Sequence, residues 1–337
     1  MDRYLSNKIK NISLVLTFLV VILHAYNLED SETVLSINFL IQNVISYGIC
    51  TIAVPMFFMI SGYLFFYKFN PTLQEWINKY KKRFKSLMIP FVIWCVGWMV
   101  VLYLVQLTPF GQTFFSNMIV SKFTLKQLFD YTFKYPIPFQ LWYISDLIKL
   151  VIISPVIYYI IKLIGKIYAP IIIVLWFINI VKFPVTFFSL GCYLAIYYSK
   201  LDFKVKKSIT IFIMIEFLLM CLIRSLIPVT MVNVSEIILN IIRIIGILSI
   251  WFGYDLLNKN ESNIFRFSEY GIFVYFFHEP LQSFLYRIIF KFMSRSNLTE
   301  IILYIIIPII TISICIITGI ILKRYSQKIY YILTGGR

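Results

Sequence analysis

Charge is scarce in this sequence. Only 14% of its 337 residues are charged while 60% are hydrophobic, against roughly a quarter charged in an ordinary soluble chain. With a mean hydropathy of +0.85, a soluble fold is excluded and an all-α, polytopic transmembrane helical bundle is expected. Acidic residues are rarer than basic ones, 15 against 31, which leaves a net charge of +16. Such an excess elsewhere points to nucleic acid. Here the basic residues collect in short segments between apolar runs, the positive-inside pattern of a multi-pass protein in a lipid bilayer, so no nucleic-acid partner is expected. The five cysteines, Cys50, Cys95, Cys192, Cys221 and Cys315, form no CxxC pair and no Cys/His cluster of zinc spacing, so neither a metal nor a structural disulfide is expected. Internal repeats, low-complexity tracts and long linkers are missing too, and residues 1–337 read as a single domain.

What is present is a series of apolar runs, each roughly 17 to 25 residues long. They predict helices over 11–28, 38–66, 87–107, 141–160, 169–182, 184–199, 208–224, 236–257, 268–290 and 300–322, about ten spans in all. The first run has the length of a signal peptide but lacks a small-residue cleavage pattern and continues into Glu29, Asp30 and Glu32, so it is expected to remain as a span. The segment 169–182, parted from the next by Pro184, is short enough to re-enter the membrane rather than cross it, which would invert everything downstream. Loop charges fit ten crossings with both termini cytoplasmic at a plasma or inner membrane. Arg3, Lys8 and Lys10 fall inside, as do the clusters around Lys79–Lys85, Lys162 and Lys166, Lys200–Lys207, Lys259 and Arg266, and Lys323–Arg337. Segments 29–37 and 108–140 are then external, the second carrying an interfacial helix.

Histidine occurs twice. His24 lies inside NISLVLTFLVVILHAYNL, about 20 Å along a helix begun at Asn11. Ser13 and Thr17 fall within about 20° of its face and Asn27 within about 60°. An ionisable group on a polar stripe suits a protein interior or a watery cavity, not lipid. The other account is a histidine hydrogen-bonded to a neighbouring helix. His278 lies in FVYFFHEPLQSFLYR, where Tyr275, His278, Gln282 and Tyr286 recur on one helical face beside Glu279 and Pro280, a second polar stripe.

Other segments have two readings each. VPMFFMISGYLFF offers Ser61-Gly62 for close approach of a ligand or, more simply, of another helix. NPTLQEWINKYKKRFKSLMIP crowds cations at the entrance to the third span, as a lipid anchor or as a grip for phosphates. Arg83 is its best single candidate because a guanidinium forks onto phosphate. In QLWYISDLIKLVIISP, Trp142 suits a membrane interface and Asp146 can pair with Lys149. Glu216 and Arg243 lack partners on their own helices and are expected to neutralise one another across the bundle.

Taken together, LVVILH ending at His24, VPMFFMISGYL, YKKRFKSLMIP, QLWYISDLIKLVIISP, FFSLGCYL and FVYFFHEPL resemble acyltransferase family 3, integral membrane enzymes that modify bacterial polysaccharides, lipid-linked sugars and related acceptors. The blocks follow family order over nearly the whole chain. The resemblance implies a bundle of ten spans that passes an acyl group, usually acetyl from acetyl-CoA, to a hydroxyl or amine. The family's Arg-x10-His has Ser13 in place of its arginine here. Lys10, one turn nearer the N-terminus and within about 40° of the same face, is the substitute cation expected.

On that resemblance His24 is the expected general base, since a neutral imidazole can take a proton from an attacking hydroxyl. Arg83 and Lys10 would hold the phosphates of an acyl-CoA donor arriving from inside. Ser61, Trp142, His278 and Glu279 would line the cavity or orient the reactants. The rival expectation is a polysaccharide or lipid-linked glycan transporter whose polar stripes line a conduit without acyl transfer.

Overall fold

The computed structural model describes residues 1–28, 36–109, 111, 119–227, 231–257 and 263–336. Among these there is helix but no strand. The first helix, α1, spans Arg3–Leu23, with the Asp2 side chain capping it by accepting from the Leu5 N–H. It therefore starts and ends earlier than the predicted 11–28. Its last turn closes at Leu23, and His24 is the C-cap with φ −78° and ψ −4°. The early start is possible because Lys8 is matched from far away. Its Nζ lies 2.7 and 2.8 Å from the Asp255 carboxylate oxygens and 4.1 Å above the Trp251 ring, so a charge that looked like solvent-facing chain is neutralised inside the fold.

The second run is broken up by its backbone. Helix α2 (Ile37–Gln42) and helix α3 (Ala53–Phe66) are joined through a π-helical turn, Asn43–Gly48, and a 3₁₀ turn, Ile49–Ile52. Helices α4 (Leu73–Arg83) and α5 (Ile89–Gln106) flank another π turn, Phe84–Met88, so the basic segment continues into the third span as helix. Then come α6 (Leu125–Phe133), α7 (Trp142–Ile152), α8 (Ser154–Ile164), α9 (Tyr168–Phe177) and α10 (Phe183–Tyr197). The chain ends with α11 (Lys207–Ser225), α12 (Val232–Leu257), α13 (Gly271–Phe292), α14 (Asn297–Tyr325) and α15 (Gln327–Thr334). The predicted 29–32 acidic stretch and Lys259 lie outside the described residues.

By length and composition, seven described segments can cross a membrane: Arg3–Leu23, Ile37–Phe66, Leu73–Gln106, Ser154–Phe177, Lys207–Ser225, Val232–Leu256 and Asn297–Tyr325. Phe183–Tyr197 is a shorter apolar helix. A φ of 73° at Gly165 turns the chain between α8 and α9. The ten residues of α9 reach about 15 Å, half of a hydrocarbon core.

The helices gather into two compact units, residues 1–70 with 155–317, and residues 71–154 with 318–337. In the first, α3 and α10 cross through two glycines. A Cβ on Gly62 would lie 2.0 Å from the Phe188 carbonyl oxygen, and one on Gly191 would lie 2.0 Å from that of Met59. Val21, Val274 and Cys315 form a buried cluster of α1, α13 and α14. Ile52, Phe217, Cys221 and Ile242 form a second, against which Leu19 packs. In the second unit, Trp94 Nε1–H donates to the Leu333 carbonyl at 3.0 Å, and α15 ends on Gly335 with φ 70°.

Candidate active site

The two histidines of the chain meet in the first unit. His24, half-buried at the end of α1, stacks on His278 of α13 with ring centroids 5.5 Å apart and 29° between planes. His278 is fully buried. Its Nδ1 lies 3.1 Å from the Val274 carbonyl oxygen and 2.9 Å from that of Tyr275. Both neighbours only accept, so Nδ1 carries the ring proton and Nε2 presents a lone pair. Among the described residues that Nε2 has no partner.

Two further buried polar atoms are orphaned nearby. Gln282, one turn beyond His278, donates through Nε2 to the Val21 carbonyl at 3.1 Å, which leaves its Oε1 without a partner among the described residues. The Val274–Cys315 packing and the 3.2 Å approach of the Tyr286 hydroxyl to the Leu303 carbonyl set α13 and α14 antiparallel. That register puts Thr311 level with His278, and Thr311 Oγ1 is likewise buried and unpartnered. Buried polar groups are nearly always satisfied, so three within about one turn along the α13–α14 pairing mark a place prepared for a polar guest. Glu279 turns along its own helix, accepting from Ser283 at 2.5 Å.

The chain just past His24 is held by side chains. Gln42 Nε2 donates to Asn27 Oδ1 and Asn38 Oδ1, each at 2.9 Å. Asn27 Nδ2 donates to the Glu300 carbonyl at 3.0 Å, and the Glu300 carboxylate accepts from Asn38 at 3.3 Å and faces Arg295 at 3.4 Å. The Tyr286 hydroxyl lies 2.8 Å from the Ala25 carbonyl. His24 thus projects from a fixed helix end.

In the second unit a cavity of about 450 Å³ opens along the basic segment. Lys81, Arg83 and Lys85 border it, and Leu87, Met88, Ile148, Val151 and Ile152 give it an apolar wall. The π turn Phe84–Met88 passes through this lining, and Tyr80 reaches across to donate to the Ile152 carbonyl at 3.1 Å. Trp142, exposed, begins α7 at the end opposite the cavity. Asp146 and Lys149 pair at 2.8 Å as their spacing implied.

Other residues take different places. Ser61 is half-buried beside the Gly62 crossing of α3 and α10. Lys10 is exposed, and the cation turned inward is Lys8. The expected pairing of Glu216 with Arg243 does not form. Helices α11 and α12 run antiparallel with Phe217 against Gly246 and Met214 near Gly253, so Glu216 falls past Arg243 along α12. Arg243 instead donates to Asn240 Oδ1 at 3.1 Å and lies over the Phe183 ring. Thr311 lies in an apolar run with no polar stripe to mark it, and the inward turn of Lys8 depends on Asp255, far along the chain.

A family model described as an acyltransferase domain matches residues 11–320. The chain belongs to acyltransferase family 3. No curated protein and no solved structure matches it. The match runs through both units of the acyltransferase, including both histidines and the basic cavity. Membership and the apolar helices make it a membrane acyltransferase.

Proposed function

We propose that this acyltransferase moves an acetyl group from acetyl-CoA to a hydroxyl of a cell-envelope polysaccharide or lipid-linked sugar, with His24 as general base. The observation that supports this most is the stacked His24–His278 pair bordered by orphaned polar atoms. His24 is the member a substrate can reach, because it is only half-buried and stands at a helix end. Its imidazole takes the hydroxyl proton as the oxygen attacks the thioester carbonyl. The new C–O bond forms, the C–S bond breaks, and the imidazolium returns the proton to the leaving thiolate, releasing CoA and the ester. His278 Nε2, Gln282 Oε1 and Thr311 Oγ1 are proposed to orient the acceptor.

Donor binding is assigned to the basic cavity, where Arg83 with Lys81 and Lys85 would grip phosphates and the apolar wall would take the pantetheine arm. Lys10 is proposed to replace the absent family arginine. Ser61, Trp142 and Glu279 are proposed to shape or orient the site. We place both termini in the cytoplasm at the plasma membrane, on the alternation of loop charge; an outside location for a cysteine introduced at residue 75, found by accessibility labelling, would refute that topology. The function is tested by mass spectrometry of envelope glycans from cells with and without the protein. Acetyl groups lost with the protein and restored by the wild type support it, and identical glycans in both contradict it.

A further inference from the structure

Two arginines of the first unit remain outside this chemistry. Arg224 sits near the end of α11 and Arg243 in α12, both half-buried. Arg224 donates from one terminal nitrogen to the Tyr47 carbonyl at 2.9 Å. Arg243 donates to Asn240 Oδ1 at 3.1 Å, its guanidinium 4.7 Å over Phe183. Among the described residues neither has a carboxylate at salt-bridge distance. Both Nε–H groups are shielded from solvent and have no acceptor among the described residues. The two charges also repel one another, and Glu236 of the same helix attracts Arg243 without reaching salt-bridge distance. Two guanidinium groups without a paired carboxylate in helices of membrane-crossing length are costly, and such groups are kept where they serve a ligand.

Arg224 is linked through Tyr47 to the segment just past His24. Tyr47, whose carbonyl binds Arg224, lies in the π turn Asn43–Gly48, and its ring meets Tyr26 edge-on at 4.7 Å. Tyr26 is two residues beyond His24. Leu19 of α1 packs against the cluster of Ile52, Phe217, Cys221 and Ile242, of which Cys221 and Ile242 are neighbours of the two arginines in sequence.

We propose that Arg224 and Arg243 form a phosphate-binding site that positions the acceptor, so that the acceptor is a phosphate-bearing molecule. A phosphate oxygen accepts from each bare Nε–H, the fork geometry of guanidinium suits two such oxygens, and the anion cancels the repulsion. The phosphate sits on a lipid anchor or on a more soluble chain, which the same chemistry recognises. The assignment to the acceptor rests on the acyl-transfer reading, whereas phosphate binding itself does not.

The test uses the purified, delipidated full chain in detergent, with its thermal unfolding midpoint titrated against inorganic phosphate, dioleoylphosphatidylglycerol and dioleoylglycerol. The wild type should be stabilised saturably by at least one phosphate-bearing probe and not by dioleoylglycerol. Arg224→Gln and Arg243→Gln should each weaken the apparent affinity at least ~10-fold, about 1.4 kcal/mol. If either glutamine variant fails to fold, Arg224→Lys and Arg243→Lys, which keep the charge and lose the fork, should show a smaller loss. A response to the lipid alone assigns a lipid-anchored phosphate, and a response to inorganic phosphate as well assigns the phosphate group itself. No saturable shift with either probe, an equal shift with dioleoylglycerol, or undiminished binding in the variants overturns the site. CoA release by the wild type is measured in parallel. Its absence alongside intact phosphate binding would defeat the acyl-transfer reading and leave the anion site standing.

Discussion

Gly62 and Gly191 are mutually indispensable where α3 crosses α10, because a Cβ on either would lie 2.0 Å from a backbone oxygen of the other helix. Backbone cannot step aside as a flexible side chain can. Gly62→Ala and Gly191→Ala should each destabilise the protein by at least ~2 kcal/mol, within the range of overpacked cores. Gly97 in α5 has nothing within 4 Å of its added Cβ, so Gly97→Ala should be neutral or stabilising by up to ~1 kcal/mol. Thermal unfolding in one detergent decides it, and equal behaviour of the three would discredit the crossing.

Lys8 and Lys10 separate structure from donor binding. Lys8→Ala breaks the contact with Asp255 and the packing on Trp251, and should lower the unfolding midpoint. Exposed Lys10 can be removed without that cost, so Lys10→Ala should keep wild-type stability and raise the donor KM several-fold. An unchanged KM removes Lys10 from the site.

Arg83 borders the cavity of the second unit with two lysines. Arg83→Ala should raise the donor KM about 10-fold with kcat little altered, the pattern of lost uniform binding, and Arg83→Lys should recover part of it. A fall in kcat at constant KM would move Arg83 from donor binding to the chemical step.

The apolar runs made most helices readable in the sequence, because a bilayer demands continuous backbone hydrogen bonding and long apolar stretches. Helix ends were less legible. The 11–28 prediction put His24 inside a helix that stops at Leu23, since an apolar run continues past the residue where the backbone turns. Its true start was hidden by Lys8, whose partner Asp255 is far along the chain. The same non-locality misplaced Arg243, which a composition argument paired with Glu216 although the α11–α12 register separates them. Both polar stripes were visible as periodicity, but periodicity does not say that the two imidazoles stack or that Nδ1 of one is committed to carbonyls.

His278 can be divided atom by atom. Asparagine offers an N–H near the position of Nδ1 and so keeps a donor for the Val274 and Tyr275 carbonyls, while removing Nε2. His278→Asn should accumulate normally and lower kcat at least ~10-fold at constant donor KM. Unchanged turnover would leave His278 as packing only.

The most direct measurement is CoA release by purified His24→Gln protein with acceptor present, beside a donor-binding assay on the same sample. Glutamine keeps a polar side chain that can hydrogen-bond a neighbour but takes up no proton near neutral pH. The variant should fold, bind donor like the wild type and release CoA at least ~100-fold more slowly, the lower end of a general base's contribution. Near wild-type turnover in folded His24→Gln protein would contradict the assignment of His24 as the base.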